Sequence, residues 1–396
     1  MQYEQKRLLQ DDVAEFQKRE REKKEFRPSL KKFLAEHILT KDGMMKLDGC
    51  QGYSKKCICD VDDSHRFYSP IRCRNDECCY ICGRSLARRR SYDVLIDPIE
   101  KLAELPIARM TPSLAISRFV LTFPVEHWGK IDKFNVRAYM KKLSKWVHEY
   151  LRHTFGDGLY TFHIEVHYTG SSVPHIKKPH FEVIIPNVKA VNDRPVLFAP
   201  RLSEDDILHM KESFRDDLII KRLGWEWNRD TLPVLHFSYA HYYTNNEAHG
   251  FAKLMHMCHY SLRAYIEDLN TAFMSFTDEY IWLYKCYEDG YKGKKKPLRV
   301  PIKEFVDGVK EHIKRPYRHR SGAWYGWLAP NVRKKYYKLF GMEYKDKKAR
   351  MKEQREIFMR CPVKGCDGIL QITDEVVKTS DVPDELNLDL LDRPPD

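Results

Sequence analysis

No stretch of this 396-residue chain is long and apolar enough to span a membrane. Its first residues, "MQYEQKRLLQDDVAEFQKREREKKEF", lack the apolar core of a secretory signal and follow a charged helical pattern instead. The protein is therefore expected to stay inside the cell and to have no membrane partner. No GxxxxGK loop is present to cradle a nucleotide's phosphates, which excludes a fused helicase motor of that type. Internal repeats and low-complexity tracts are also lacking. With 42% apolar residues the chain is globular, and it is long enough for more than one domain.

Charge and cysteine are what the chain does have. The formal net charge of +12 is unevenly spread. "YKGKKKPLRVPIKEFVDGVKEHIKRPYRHR" is strongly basic, and the tail "TSDVPDELNLDLLDRPPD" is acidic. A basic surface interleaved with Tyr and Trp points to a polyanionic partner. Cys50, Cys57, Cys59, Cys73, Cys78, Cys79 and Cys82 crowd one segment, which in an intracellular protein favours a metal over disulfides. Five regions are expected: a basic helical arm over 1–45 and a zinc-binding module over 46–110, whose helix begins near Gly83 and carries Arg84, Arg88, Arg89 and Arg90; then a domain over 111–275, a basic aromatic region over 276–370 and an acidic tail over 371–396.

From Ser117 onward the pattern alternates strand and helix. "SRFVLTFPV", "LYTFHIEVHY", "KPHFEVIIP" and "LPVLHFSYA" have strand character, and helical periods lie between and after them, with Ser203 as an N-cap. The order β-α-β-β-α-β-α predicts an α+β fold. It would be a split βαβ, ferredoxin-like antiparallel sheet with helices on one face and the other face open. Strand side chains alternate, so His180 and Glu182 point the same way, and His163, Glu165 and His167 share one face of the preceding strand. Imidazoles with carboxylates suit Mn²⁺ or Mg²⁺. In "AKLMHMCHYSLRAY" the positions Lys253, His256, Tyr260 and Arg263 fall at near-helical spacing, which offers a tyrosine nucleophile flanked by cations for attack on a phosphodiester.

"FVLTFP", "KPHFEVIIP" and "MHMCHYSLR" resemble, in order and spacing, the three motifs of the HUH endonucleases, and most of all the rolling-circle replication initiators of archaeal plasmids and viruses. "RSGAWYGWL" is similar to a segment that follows the tyrosine helix there, and the likeness runs from Cys50 to Gly341. It implies that His180 and Glu182 stand at the two-histidine motif, with glutamate replacing the second histidine. It further implies a third ligand from His167, then Glu165, then His163, and Tyr260 as the single nucleophile, assisted by His256 and Arg263, while Tyr265 faces elsewhere. Cys73, Cys79 and Cys82 match the family-like C-x5-C-x2-C zinc pattern, with Cys59 or Cys57 as the fourth ligand and Cys78 as an alternate; Cys361 and Cys366 are assigned no metal. The implied activity is metal-assisted nicking and rejoining of single-stranded DNA at a replication origin through a 5′-phosphotyrosine. A host helicase and polymerase would be the partners, and the cytoplasm of a prokaryote the setting. A transposase of the same fold, or a non-catalytic zinc-containing DNA-binding protein, are the alternatives. Lys294, Lys295, Lys296, Arg315, Arg318 and Arg320 are expected on the DNA backbone, with Trp324 and Trp327 either stacking platforms or core.

Overall fold

A computed structural model describes residues 26–75, 77–110, 113–131, 135–169, 174–199, 202–228, 230–243, 257–258, 261–283, 298–314, 322–344 and 359–388. It divides into two compact units. One draws on Arg90–Leu262 and Thr271–Glu343, the other on Phe26–Arg89, Arg263–Asn270 and Tyr344–Asp396. No helix among the described residues is long and apolar enough to cross a membrane.

The first unit is built on strands β1 (Ser113–Thr122), β2 (Phe162–His167), β3 (His180–Pro186), β4 (Val234–Tyr243) and β5 (Ala323–Tyr325). They lie in the order β5-β2-β3-β1-β4, every neighbouring pair antiparallel. Helix α1 (Val136–Phe155) joins β1 to β2, and α2 (Glu204–Ser213), prolonged as a π-helix through Arg222, joins β3 to β4. Local chemistry sets the start of α2 and the end of α1. Ser203 and Asp206 form a reciprocal capping box at the head of α2, and α1 ends at Gly156, whose φ of 78° favours glycine. Phe119, Leu121, Ile164, Val166, Phe181, Val183 and Ile185 line one face of the sheet, as strand alternation requires. They pack against Met140, Leu143, Trp146 and Val147 of α1 and against Phe214 and Leu218 beyond α2.

The opposite face, expected to be open, is covered. Leu114, Ile116 and Ile184 belong there to a second apolar cluster with Leu95, Ile99, Leu102, Met257, Cys258, Leu262, Trp324 and Trp327. The sequence pattern of the strands could not show this, because the covering residues come from remote segments. Trp324 and Trp327 are core, at 5% and 0% exposure.

In the second unit, Leu370–Lys378 pairs antiparallel with Tyr53–Cys59, which pairs in turn with Arg66–Pro70. The residues from 371 onward therefore do not all form a tail. Nor is the region up to residue 45 simply an arm: helix Pro28–His37 buries Leu30, Phe33 and Leu34, and Thr40 caps the helix Lys41–Asp48 by accepting from Gly43 N–H. The basic helix starts at Tyr80, ahead of Gly83.

Candidate functional site

Antiparallel pairing of β2 with β3 sets His167 opposite His180 and Glu165 opposite Glu182. Five metal-capable side chains therefore share one face, as strand alternation predicted, but their surroundings differ. Glu182 is 1% exposed and receives a bidentate pair from Arg118 of β1, Nη2 to Oε1 at 2.6 Å and Nε to Oε2 at 2.9 Å. Ser261 Oγ also donates to Glu182 Oε2. Burial alone would raise this carboxyl, yet the charges of His167 and Arg118 hold it at about 2. Glu165, 3% exposed, faces Glu182 across the strands, a like-charge juxtaposition that Arg90 eases from 3.5 Å.

The two imidazoles at the open end of this row stack, with ring centroids 5.1 Å apart and planes 16° apart. His167 Nε2–H donates to Ser261 O at 2.6 Å, and His180 Nδ1–H to Lys178 O at 3.1 Å. Each ring is thus oriented by a backbone carbonyl, the kind of contact that also orients metal-binding histidines. His163 is different. It is fully buried, neither ring nitrogen has a hydrogen-bond partner, and burial together with Arg90 pushes its pKa down to about 3.

Of the expected divalent set, Glu182 already holds donors on both its oxygens, and Glu165 lies near Arg90 and His163. Among the described residues, no group of three that includes these side chains brings its ligand atoms within 4.8 Å of one another. Tyr260 and His256, together with the six basic residues expected on DNA, lie outside the described residues. Arg263 does not continue a helix. Met257–Cys258 and Ser261–Leu262 are helical, Arg263 and Ala264 are not, and Arg263 Nε lies 2.7 Å from Asp268 Oδ1. Tyr265 opens the next helix, Tyr265–Ala272, where desolvation and then Asp268 push its phenol well above the ordinary value.

The cysteines form two groups. Cys50, Cys73, Cys79 and Cys82 have their sulfurs within 4.8 Å of one another, with Cys73–Cys82 at 3.5 Å, Cys79–Cys50 at 3.6 Å and Cys50–Cys82 at 3.7 Å. Tetrahedral zinc with Zn–S near 2.3 Å demands S···S edges of about 3.7–3.8 Å, so this group can hold a zinc ion. The fourth member is Cys50, where Cys59 or Cys57 was expected. Cys59 lies in the second group, with His65, Cys361 and Cys366, all four within the same 4.8 Å limit. Cys57 is buried and pushed up to about 11 by burial, the behaviour of an inert core thiol. Cys78 is buried and belongs to neither group.

Sequence reasoning missed Arg118, Ser261, Cys50 and His65. Arg118 had a signal, as the one charged residue in the apolar run "SRFVLTFPV", and His65 stands at C-x5-H spacing from Cys59. Ser261 had none. Comparison with protein-family models, curated proteins and solved structures finds no match to the chain.

Proposed function

We propose that this protein nicks and rejoins single-stranded DNA by tyrosine transesterification, as an HUH-type rolling-circle replication initiator acting at an origin with a host helicase and polymerase. One observation carries the reading. Ser261, the residue next to Tyr260, accepts from His167 through its carbonyl and donates to Glu182 through its hydroxyl, so the segment bearing the nucleophile is tied to the histidine strands. The strand order β5-β2-β3-β1-β4 also supports it, since β2-β3-β1-β4 with α1 and α2 as connections is the split βαβ, ferredoxin-like arrangement of that family. His167 and His180 would hold the divalent cation, Mn²⁺ or Mg²⁺, whose chemistry is to polarise the scissile phosphate. Tyr260 attacks the phosphorus, its proton passes to a base or water, a 5′-phosphotyrosine forms, and the leaving 3′ oxygen takes up a proton as a free hydroxyl. Glu182 serves a different purpose from the histidine it replaces, orienting Arg118 and Ser261.

A second reading, a non-catalytic zinc-containing DNA-binding protein, is favoured by the neutralisation of Glu182 by Arg118. A same-fold transposase would share the chemistry and be distinguished by strand-transfer products. The test is incubation of the full chain with single-stranded DNA and Mn²⁺, followed by denaturing electrophoresis. Wild type should yield a covalent protein–DNA band, Tyr260→Phe should yield none while still binding DNA, and Tyr265→Phe should retain the band. An adduct in Tyr260→Phe would misassign the nucleophile, and its absence from wild type with every substrate and divalent metal tried would favour the binding protein.

A further inference from the structure

We infer that Cys59, His65, Cys361 and Cys366 bind a second structural zinc ion that clasps the segment 359–388 onto the strand Tyr53–Cys59. The two halves of this site are about 300 positions apart in sequence, and each is a tight turn. On the first, His65 N–H donates to Asp62 O at 3.0 Å, and the N–H groups of Val61 and Asp62 donate to the Cys59 sulfur. On the second, Cys366 N–H donates to Val363 O at 3.0 Å, the Val363 N–H donates to the Cys361 sulfur, and Gly365 sits at φ 83°. Backbone donors on a thiolate are the outer-shell support that cysteine metal ligands need.

The distances favour a metal over the alternatives. Cys59 Sγ lies 3.6 Å from Cys366 Sγ, and Cys361 Sγ lies 3.5 Å from His65 Nδ1. Both match the edges of a tetrahedron with Zn–S near 2.3 Å and Zn–N near 2.0 Å, about 3.5–3.8 Å, and a disulfide would need its sulfurs at about 2.05 Å. Cys59 and Cys361 are 1% and 4% exposed, which shields the ligands from exchange. Gly368 leaves room for the site, since a Cβ there would strike the Cys59 sulfur.

Apolar packing here is modest. The buried cluster consists of Phe67 and Leu370 with Cys57, Cys59 and Cys361, so three of its five members are thiols, and Met359, Val363, Cys366, Leu386 and Leu388 are only partly buried against it. A core this small is the setting in which small modules draw on a metal for stability. The two sites then have separate roles. The group at Cys50, Cys73, Cys79 and Cys82 closes only a local loop, while the second fixes the β pairing of Leu370–Lys378 with Tyr53–Cys59.

The test uses the full chain. Elemental analysis should find two zinc ions per wild-type protein and one in the variant with Cys361→Ser and Cys366→Ser. In that variant the amides of Leu370–Lys378 should exchange with deuterium at least roughly tenfold faster. A wild type holding one zinc overturns the proposal, and so does a variant that still holds two. A variant that loses one zinc with unchanged exchange removes the clasp. Should the variant not fold, titration of metal-stripped wild type with Co²⁺ decides the matter: two equivalents, one giving the spectrum of a four-thiolate site and one of a three-thiolate, one-imidazole site, support it, and a single equivalent overturns it.

Discussion

Arg118 and Glu182 illustrate how strongly one buried pair constrains the sheet. Glu182 is 1% exposed and Arg118 14%, so the buried carboxylate leans on the guanidinium to offset its charge. Breaking such a pair from one side costs more than replacing both partners, because it strands a charge. Arg118→Met should destabilise the first unit by about 3–5 kcal/mol, and Arg118→Met with Glu182→Leu should recover most of that loss. Urea unfolding followed by tryptophan emission measures this unit specifically, since all seven tryptophans fall within it; a double variant no more stable than the single would refute the pairing. His163 makes a pH demand. Its folded-state pKa of about 3 lies below the unfolded value near 6.5, so the folded protein binds fewer protons between them. The contribution is fully present above about pH 6.5 and is lost as pH falls towards 3. Between pH 7 and pH 5 wild type should lose on the order of 2 kcal/mol to this group, and His163→Leu should lose correspondingly less in the same tryptophan-monitored unfolding.

At the scale of elements, the short edge strand β5 depends on a single glycine. Gly326 follows it at φ 70°, and a Cβ there would run into the Tyr160 carbonyl, so neither the conformation nor the space admits a side chain. Gly326→Ala should cost about 2 kcal/mol or more and speed amide exchange in Ala323–Tyr325; unchanged exchange would show that the turn tolerates a side chain. The elements set by local chemistry were legible in the sequence. β2 and β3 follow from strict alternation, α1 from its amphipathic period and glycine stop, and the start of α2 from Ser203. What could not be read was whatever depends on distant segments. One face of the sheet was expected open from the split βαβ order, whereas Leu95, Met257 and Trp327 supply a cover for it. Cys59 was drawn to Cys73 by proximity in sequence, whereas a turn at Cys361 and Cys366 meets it in space. Helical spacing grouped Arg263 with Tyr260; Arg263 lies outside helical structure and pairs with Asp268, while Tyr260 lies outside the described residues.

For the whole molecule, the formal charge of +12 is the property most directly open to measurement in solution. Composition alone does not distinguish a solvated basic face from one that tracks a nucleic-acid backbone, but salt does, because each phosphate contact releases a condensed counterion. On single strands each contact contributes about 0.7 to the slope of log K against log salt. Lys294, Lys295, Lys296, Arg315, Arg318 and Arg320 stand in the most basic stretch of the chain. If all six meet phosphates, replacing them by Gln should reduce that slope by about 4. The reduction should appear equally with unrelated single-stranded sequences, since phosphate contacts carry no base information. Under the proposed function, the variant should still form the covalent adduct at saturating DNA, because these residues bind the strand and Tyr260 reacts with it. Fluorescence anisotropy over a series of salt concentrations gives the slope, and electrophoresis of the same samples gives the adduct. A slope that does not move would assign these side chains to solvent.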